Sequence, residues 1–323
     1  MKYEITVIIP TINRFDCLLN TLKDLEHQKD VFFEVIIVDQ STEIPSDFFE
    51  KITSFNYDIR FYTQKELSAS KARNVGLLKS KSDIVLFFDD DVIIKTPYLL
   101  KNHLLNYRDK DIDGVFGQIL LTDEKVLNVR PKKSYNKKYG WLFFPSNYTA
   151  RVIQEGIGMA GNLSVKKEAC INSGGMDQNF VKGAYREESD FIQRFWSNNY
   201  KIVFDPEASL IHIGHKSGGV RNWGASRGLC AHHHVIGEWY FILKHGVKTN
   251  LFMNIYALLR RQIFNRININ HPLNIPKSMF RSFICLYQAI KLLKNKKDLN
   301  DESTLCNVFV DVELIYEKYI NNK

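Results

Sequence analysis

The 323-residue chain has no apolar run approaching the roughly 20 residues of a membrane-spanning helix, so none is predicted. Residues 1–10 form too short an apolar run for a signal peptide and lead straight into a strand pattern. The five cysteines are far apart and form no CxxC pair, which argues for free thiols in a reducing compartment and against zinc. We therefore expect a globular, cytoplasmic protein.

Acidic residues are nearly absent from one long segment. Residues 216–297 contain 14 lysines and arginines but a single acid, Glu238. A segment of this kind attracts anionic partners. Apolar and aromatic residues recur there at helical spacing over residues 251–264 and 278–293, and basic amphipathic helices suit an anionic membrane surface. Alternatively, these apolar faces pack on the rest of the protein. No nucleic-acid-binding motif accompanies the charge, so we expect no nucleic-acid partner.

The first third of the chain alternates strand and helix patterns. Strand patterns lie at residues 5–9, 33–38, 59–62 and 84–88, with helical patterns at 16–26, 46–55 and 68–79 between them. This alternation predicts an α/β fold with a mostly parallel, Rossmann-like sheet flanked by helices. Ligands of such sheets bind outside the carboxyl ends of the strands. Asp39 and the triplet Asp89, Asp90 and Asp91 follow strand patterns, so we expect them to face one crevice.

The aspartate triplet is the strongest single chemical signal. Adjacent carboxylates at the end of a buried strand repel one another and are costly to bury unless a cation or hydrogen bonds compensate. Hard oxygen ligands suit Mg²⁺ or Mn²⁺, which commonly bridge carboxylates and diphosphates. The triplet alone is equally compatible with a polar, solvated strand end, and the other motifs decide between the two interpretations.

Eight motifs together resemble the family 2 glycosyltransferases, which share the GT-A fold of nucleotide-diphospho-sugar transferases. In chain order they are VIIPTINR, VIIVDQST, SASKARNVGL, IVLFFDDDV, GMAGNLSVKKEA, GGMDQNF, YREESDF and FDPEASLIHIGH. Each motif alone is weak, but all eight occur in the family's order with ordinary spacing. The resemblance covers residues 5–217, about two thirds of the chain. It implies a GT-A catalytic domain and an enzyme that uses a nucleotide-diphospho-sugar.

The resemblance also implies roles for individual residues. It assigns one group to the nucleotide and donor sugar: Pro10, Thr11, Arg14, Asp39, Arg73, Asp89, Asp90, Gly161 and Asn162. Within this group Asp39 would hydrogen-bond the base, and Arg73 would lie against the diphosphate, which suits a guanidinium fork. The aspartate triplet looks like the family's DxD motif, with Asp91 as a ligand of Mn²⁺ or Mg²⁺. His212 falls where the family often adds a contact to the metal or diphosphate.

Glu188 occupies the position of the family's catalytic base, with Glu187 and Asp190 beside it. The family commonly has Glu-Asp where this chain has Glu-Glu, so Glu187 or Asp190 could hold the role instead. Neighbouring acids raise one another's pKa toward the working range of a general base. Three successive histidines, residues 232–234, diverge by about 100° each on a helix, so they do not chelate a metal easily together.

These observations predict an inverting, metal-dependent glycosyltransferase that transfers sugar, with UDP-sugar favoured, to a saccharide or lipid-linked saccharide. By resemblance, the setting is bacterial surface-polysaccharide synthesis at the inner face of the membrane. Residues 1–222 would form the catalytic domain, with a nucleotide-binding half at 1–105 and a donor and acceptor half at 106–222. Residues 223–323 would form a basic helical extension. Two alternatives are a sugar nucleotidyltransferase and a non-catalytic protein that binds a sugar nucleotide. The first would need a Gly-rich signature near the first strand, which PTINRFD lacks. The second would not need the intact acids.

Overall fold

The computed structural model describes residues 2–126, 135–136, 141–142, 147–154, 159–182, 185–215, 218–220, 225–226, 228–246 and 248–320. The strands are β1 (Ile5–Thr11), β2 (Phe33–Asp39), β3 (Asp58–Gln64), β4 (Ile84–Phe88), β5 (Val92–Ile93), β6 (Gly114–Leu121), β7 (Tyr135–Asn136), β8 (Trp141–Leu142), β9 (Val152–Gln154), β10 (Asn162–Lys166), β11 (Ile202–His212) and β12 (Val312–Lys318). The helices are α1 (Phe15–Glu26), α2 (Phe48–Thr53), α3 (Ala69–Lys79), α4 (Leu99–Asn106), α5 (Lys167–Asn172), α6 (Glu187–Ser197), α7 (His232–His245), α8 (Leu251–Gln262), α9 (Arg266–Asn270), α10 (Asn274–Leu293) and α11 (Glu302–Asn307).

A four-stranded parallel sheet forms the first half of the molecule. Its order is β3-β2-β1-β4, and the three alternating helices α1 to α3 connect its strands. These strands are continuous apolar runs because helices cover both faces of the sheet, so that nearly every side chain is buried. Helix α3 lies close over β1, since a side chain at Gly76 would collide with Ile8. The predicted α/β fold with a largely parallel central sheet is confirmed.

Antiparallel strands enter the sheet in the second half. β10 pairs antiparallel with both β4 and β6, and β11 then runs parallel to β6. β11 is one long strand whose register with β6 shifts between Asp205 and Ser209. Its end pairs with β5, so that His212 lies opposite Val92. This pairing brings His212 next to the aspartates that precede β5.

The C-terminal extension is not helical throughout, so the helical interpretation of the chain beyond residue 224 is wrong for its last segment. β12 adds to the edge of the catalytic sheet, antiparallel to β3. From Ile315 to Lys318 its residues alternate between exposed and half-buried, a pattern that fits an edge strand better than a helix. The predicted boundary at residues 222 and 223 lies outside the described residues.

Helices α7 to α10 form the bulk of the extension. α7 packs against α10 on one side and against α6 on another. A small core of Phe180, Tyr240, Phe241 and Ala289 joins the catalytic part to these helices. The extension is therefore in direct contact with the element that carries Glu187 and Glu188.

Candidate active site

Asp89, Asp91 and His212 meet at the carboxyl end of β4. Their ligand atoms all lie within 4.8 Å of one another. His212 Nε2 is 3.2 Å from Asp91 Oδ1 and 3.9 Å from Asp89 Oδ2. The cluster forms because Asp89 to Asp91 link β4 to β5, and β5 pairs with the end of β11. Two carboxylates and one imidazole form a donor set that fits a divalent metal such as Mn²⁺.

Asp90 points away from this cluster into the protein. Its side chain accepts a hydrogen bond from the Thr11 hydroxyl at 2.7 Å and pairs with Arg14 Nη1 at 3.2 Å. Burial raises the pKa of Asp90 to about 7, although Arg14 and Thr11 act in the opposite direction. Of the triplet, Asp89 is the most exposed member, with a side chain that is 34% exposed, whereas Asp90 and Asp91 are both buried.

Asp91 is held ionised. Burial would raise its pKa, but a hydrogen bond and charge from His212, the His215 amide and the nearby Arg14 together lower the pKa below the usual aspartate value. The His215 amide donates to Asp91 Oδ2 at 2.9 Å, and Arg14 Nη1 lies 3.2 Å from the same oxygen. These contacts leave Oδ1 on the side of His212. An ionised carboxylate with one oxygen fixed by the protein suits monodentate metal binding.

Asp39 lies at the end of β2 and is completely buried. Its Oδ1 accepts hydrogen bonds from the Ser41 amide at 3.1 Å and the Ser41 hydroxyl at 2.6 Å, whereas its buried Oδ2 has no partner. Burial raises the pKa of Asp39 to about 6 despite the bonds from Ser41. A buried carboxylate oxygen without a donor is costly, so Oδ2 is poised to accept a hydrogen bond from a ligand.

Arg73 connects helix α3 to the acids of the site. Its guanidinium pairs with Glu187 and lies 3.6 Å from Asp89 Oδ1. The Ser70 hydroxyl, one helical turn earlier, also donates to Glu187. Glu187 is buried by these contacts, so it orients Arg73 and Ser70 and is poorly placed to reach an acceptor.

Glu188 begins helix α6 beside Glu187 and is partly exposed to solvent, unlike Glu187 and Asp190. Arg186, which precedes α6, has a left-handed backbone with φ of 76°, which turns the chain sharply into the helix. Its guanidinium stacks 3.8 Å from the ring centroid of Phe241 on α7. Of the three neighbouring acids, Glu188 has the solvent access that a base for an incoming hydroxyl requires.

The surroundings of Asp190 do not suit a general base. It is fully buried and lies 2.8 Å from Arg194 Nη2, 2.8 Å from Lys244 Nζ and 2.7 Å from His245 Nε2. Burial would raise the pKa of Asp190, but these three groups outweigh it and hold the pKa well below its usual range. A carboxylate that binds protons so weakly is a poor base. The geometry therefore weighs against a catalytic role for Asp190 and indicates that it ties α6 to α7.

Gly161 and Asn162 play unequal parts in the site. A side chain at Gly161 would collide with the Asp89 carboxylate, so glycine leaves room for that acid. Asn162 is buried, and its amide nitrogen donates to the carbonyls of Gln118 and Ala208 while its oxygen contacts His103 Nε2 at 2.9 Å. All its polar atoms are engaged within the protein, which weighs against direct contact with a donor sugar.

The residues predicted to bind the nucleotide and the metal thus lie around the carboxyl ends of the parallel strands, with Pro10 and Thr11 at the end of β1. Two sets of contacts were not predicted: the His215 amide on Asp91, and Lys244 and His245 on Asp190. Basic residues in the last turn of a helix are common for electrostatic reasons alone, so the sequence carries no specific signal for the second set.

A family model described as Glycosyl transferase family 2 matches residues 6–172, about half of the chain. The chain belongs to this family. The predicted family is therefore confirmed. The GT-A neighbours described below have the same fold.

Two relatives illustrate the similarity in sequence. The poly(ribitol-phosphate) beta-N-acetylglucosaminyltransferase TarP of Staphylococcus aureus is 30% identical over 120 residues, which cover 36% of this chain and 36% of TarP. An uncharacterised glycosyltransferase of Rickettsia bellii is 32% identical over 141 residues, which cover 40% of this chain and 20% of that protein. The chain spans between a fifth and about half of the length of the curated relatives it matches.

Solved structures support the fold. The structure of S. aureus TarS 1-349 superposes with a TM-score of 0.58 at 13% identity, covering 88% of this chain and 80% of that one. The mannosyltransferase PcManGT of Pyrobaculum calidifontis, in complex with GDP-Man and Mn²⁺, gives a TM-score of 0.51 at 14% identity, covering 96% and 86%. At these identities the similarity establishes the GT-A fold alone.

Proposed function

We propose that this glycosyltransferase is an inverting, metal-dependent enzyme that uses a nucleotide-diphospho-sugar, with a UDP-sugar favoured. The observation that carries the proposal is the convergence of Asp89, Asp91 and His212 within 4.8 Å at the edge of the sheet where Asp39 and Arg73 also lie. Structures of related fold contain Mn²⁺ with GDP-Man, or UDP-GlcNAc, which supports this class of donor. UDP-GlcNAc is the donor to test first, because TarP is named as an N-acetylglucosaminyltransferase.

Asp89, Asp91 and His212 would hold the divalent ion, Mn²⁺ or Mg²⁺. When bound, it supplies a Lewis acid that stabilises the charge developing on the diphosphate. Arg14 fixes one oxygen of Asp91, and Arg73 of helix α3 lies against Asp89. Arg73 adds a positive charge on the side where the diphosphate would lie, and Glu187 holds it there.

Glu188 takes the proton of the acceptor hydroxyl in this proposal. The hydroxyl oxygen forms a bond to the anomeric carbon as the bond from that carbon to the diphosphate oxygen breaks, and the electron pair leaves with the nucleoside diphosphate. Attack from the face opposite the leaving group inverts the configuration. The acceptor is a saccharide or lipid-linked saccharide, and the setting is bacterial surface-polysaccharide synthesis.

Nucleoside diphosphates tested by thermal shift with Mn²⁺ should separate by base. The orphan Oδ2 of Asp39 needs a donor. Uracil N3–H or guanine N1–H supplies one at the centre of the base edge, where cytosine N3 and adenine N1 are acceptors and only the neighbouring amino groups of these two bases donate. We expect UDP to stabilise the protein most and CDP and ADP least. At 100-fold over its dissociation constant a ligand adds about 2.7 kcal/mol.

The stabilisation by UDP should depend on pH, and the ionisation of Asp39 sets the direction of the change. Because the pKa of Asp39 is about 6, the carboxylate that accepts from the base is present above pH 6 and is lost as the pH falls through 6. The stabilisation by UDP should therefore weaken from about pH 7.5 to about pH 5. Asp39→Asn, which cannot titrate, should lack this component. Equal stabilisation by all four nucleotides would contradict the role of Asp39.

We propose that the C-terminal extension contacts a membrane surface. Helix α10 buries small residues and exposes large ones, which is the opposite of the arrangement in a core helix. Its buried face consists of Ser278, Ser282, Cys285 and Ala289; Ser282 and Cys285 contact α7, and Ser278 contacts α9. Its outer face presents Phe280, Phe283 and Tyr287, which are 71%, 74% and 59% exposed. The alternative, that the large apolar residues pack on the catalytic domain, does not hold for this face.

Two other residues of the extension also expose large apolar side chains. Phe252 on α8 and Leu273 before α10 are 83% and 84% exposed. Basic residues accompany these side chains in a segment with one acid among 82 residues (216–297), which complements an anionic lipid surface. Among the described helices, none combines the length and apolarity that crossing a bilayer would need. We propose that the face rests on the inner surface of the cell membrane.

Replacing Phe280 and Phe283 by aspartate should remove binding to anionic vesicles. Burying each phenylalanine contributes about 1.5–3 kcal/mol, so the double variant should bind at least about 100-fold more weakly. Cosedimentation with phosphatidylglycerol vesicles measures this, with phosphatidylcholine vesicles as the uncharged comparison. Leu121→Asp, at an exposed apolar residue of the catalytic sheet, is the control. Loss of self-association in the double variant, with unchanged vesicle binding, would instead assign the face to a second copy of the chain.

A further inference from the structure

One lysine of helix α7 contacts two buried acids that belong to different segments of the chain. The Lys244 ammonium lies 2.7 Å from Asp177 Oδ2 and 2.8 Å from Asp190 Oδ1. Both acids are buried, whereas the Lys244 side chain is 21% exposed. Two carboxylates that share one cation repel each other when the cation is removed. Lys244 therefore holds together two segments that like charge would otherwise separate.

The segment that contains Asp177 is fixed to helix α3, which also carries Arg73. Asn74 of α3 accepts a hydrogen bond from the Met176 amide at 2.8 Å and donates one to the Met176 carbonyl at 2.7 Å. Asn74 is completely buried, so water does not compete for these two hydrogen bonds. Asp177, the next residue, is thus held in a fixed place relative to the donor-side Arg73.

The first turn of α6 is held on both sides of Glu188. On one side, Glu187 pairs with Arg73 of α3. On the other side, Asp190 pairs with Lys244 of α7. Glu188 lies between these two anchored carboxylates in the sequence. Its position relative to the donor side is therefore set by α3 and α7 together.

These contacts form a closed path from α3 through the Asp177 segment to α7, from α7 to α6, and from α6 back to α3. Lys244 supplies two steps of the path with one atom, because its Nζ pairs with both acids. His245 and Arg194 also contact Asp190, so that acid keeps two partners when Lys244 is replaced. Loss of the Lys244 charge should thus displace the first turn of α6 without unfolding it.

We propose that Lys244 is a positioning residue that sets where Glu188 stands relative to the donor, which makes the C-terminal extension part of the catalytic unit. The inference rests on the proposed role of Glu188 as the base. Catalysis depends steeply on such geometry, since a displacement of about 1 Å caused by a mutation far from the chemistry can lower a rate about 10²-fold. The ammonium is engaged by Asp177 and Asp190, so its effect passes through Glu188.

Hydrolysis of UDP-GlcNAc with Mn²⁺ tests this role, with water in place of the acceptor hydroxyl and with kcat and KM measured separately. Lys244→Gln should lower kcat about 10–100-fold and leave KM for UDP-GlcNAc within about twofold, because the donor contacts are unchanged. Lys244→Arg should recover most of the loss, since a guanidinium also pairs with carboxylates. Lys248→Gln, at an exposed lysine just after α7, is the matched control and should behave as the unmodified protein does.

A double variant separates positioning from a general loss of structure. The base is already absent in Glu188→Gln, so Lys244→Gln should lower the residual rate of that variant no further. An equal fractional loss in both backgrounds would assign Lys244 a purely structural role and overturn the inference. Tyr240→Phe removes the hydroxyl that donates to Asp177 at 2.8 Å and repeats the test with a smaller change. It should lower kcat about fivefold, again only when Glu188 is present.

A kcat of Lys244→Gln equal to that of Lys248→Gln would also overturn the inference. UDP with Mn²⁺ should stabilise these variants as it does the unmodified protein. If this stabilisation and the loss of rate in Glu188→Gln are observed while Lys244→Gln has no effect, only the positioning role is wrong. If the unmodified protein neither hydrolyses UDP-GlcNAc nor is stabilised by UDP with Mn²⁺, the proposed function itself fails.

Discussion

Replacing Glu188 by glutamine should lower the rate of sugar transfer by about 10²–10⁴-fold, because that is the usual contribution of a positioned general base. Glutamine keeps the size of the side chain but does not take a proton. UDP and Mn²⁺ should still bind, since Asp39, Arg73 and the metal ligands are unchanged. Release of UDP in the presence of acceptor measures transfer, and thermal shift with UDP and Mn²⁺ measures donor binding.

Two further variants distinguish Glu188 from its neighbours. Glu168→Gln, in the first turn of α5 and exposed, controls for the loss of one carboxylate and should be fully active. Asp190→Asn leaves Arg194 without its paired carboxylate, whereas Lys244 keeps its pair with Asp177, and breaking a buried pair typically costs about 3–5 kcal/mol. We therefore expect a lower denaturation midpoint for Asp190→Asn. Full transfer by well-folded Glu188→Gln would move the base to another residue.

The sequence predicts the first half of the fold well because each strand and helix there has a local pattern. The apolar runs of β1, β2 and β4 are strands that must be buried on both faces, and Ser68 caps α3 by accepting from the Lys71 amide. The parallel order of these strands follows from the alternation with helices. Here local pattern and tertiary structure agree.

Long-range pairings are the part that no local pattern reveals. The His212 imidazole meets Asp91 because β5 pairs with the end of β11, which lies over 100 residues further along the chain. Family resemblance, rather than periodicity, suggested that contact. β12 lies at the sheet edge because its partner is β3, and a strand of seven residues with exposed Leu314 and Ile315 gives little local signal.

Polar residues of one motif have different roles because their burial differs. Glu187, Glu188 and Asp190 lie within one helical turn, yet Arg73 neutralises the first and α7 the third. Asn162 similarly lies beside Gly161 but points into the core, where His103, Gln118 and Ala208 engage it. Successive residues on a strand point to opposite faces, so sharing a motif does not imply sharing a site.

Asp91→Ala should remove the metal-dependent part of donor binding. The variant loses one of three candidate ligands and the partner that holds His212 and the His215 amide. Altering residues that only support a ligand already lowers metal affinity about 10–100-fold, so loss of the ligand itself should cost at least about 100-fold. Calorimetric titration with Mn²⁺ in the presence of UDP measures the affinity directly. Transfer should become undetectable at Mn²⁺ concentrations that saturate the unmodified enzyme.

The matched control for Asp91→Ala lies at the other end of the same strand. Asp83 precedes β4 and forms an exposed ion pair with Lys2, so Asp83→Ala removes an equal charge far from the proposed metal. We expect that variant to bind Mn²⁺ normally. Metal-free UDP should bind Asp91→Ala and the unmodified protein alike, because the proposed contact of Asp39 with the base does not involve the metal. If Asp91→Ala bound Mn²⁺ as tightly as Asp83→Ala, the ion would have to lie elsewhere. The convergence of Asp89, Asp91 and His212 would then be a structural ion-pair cluster.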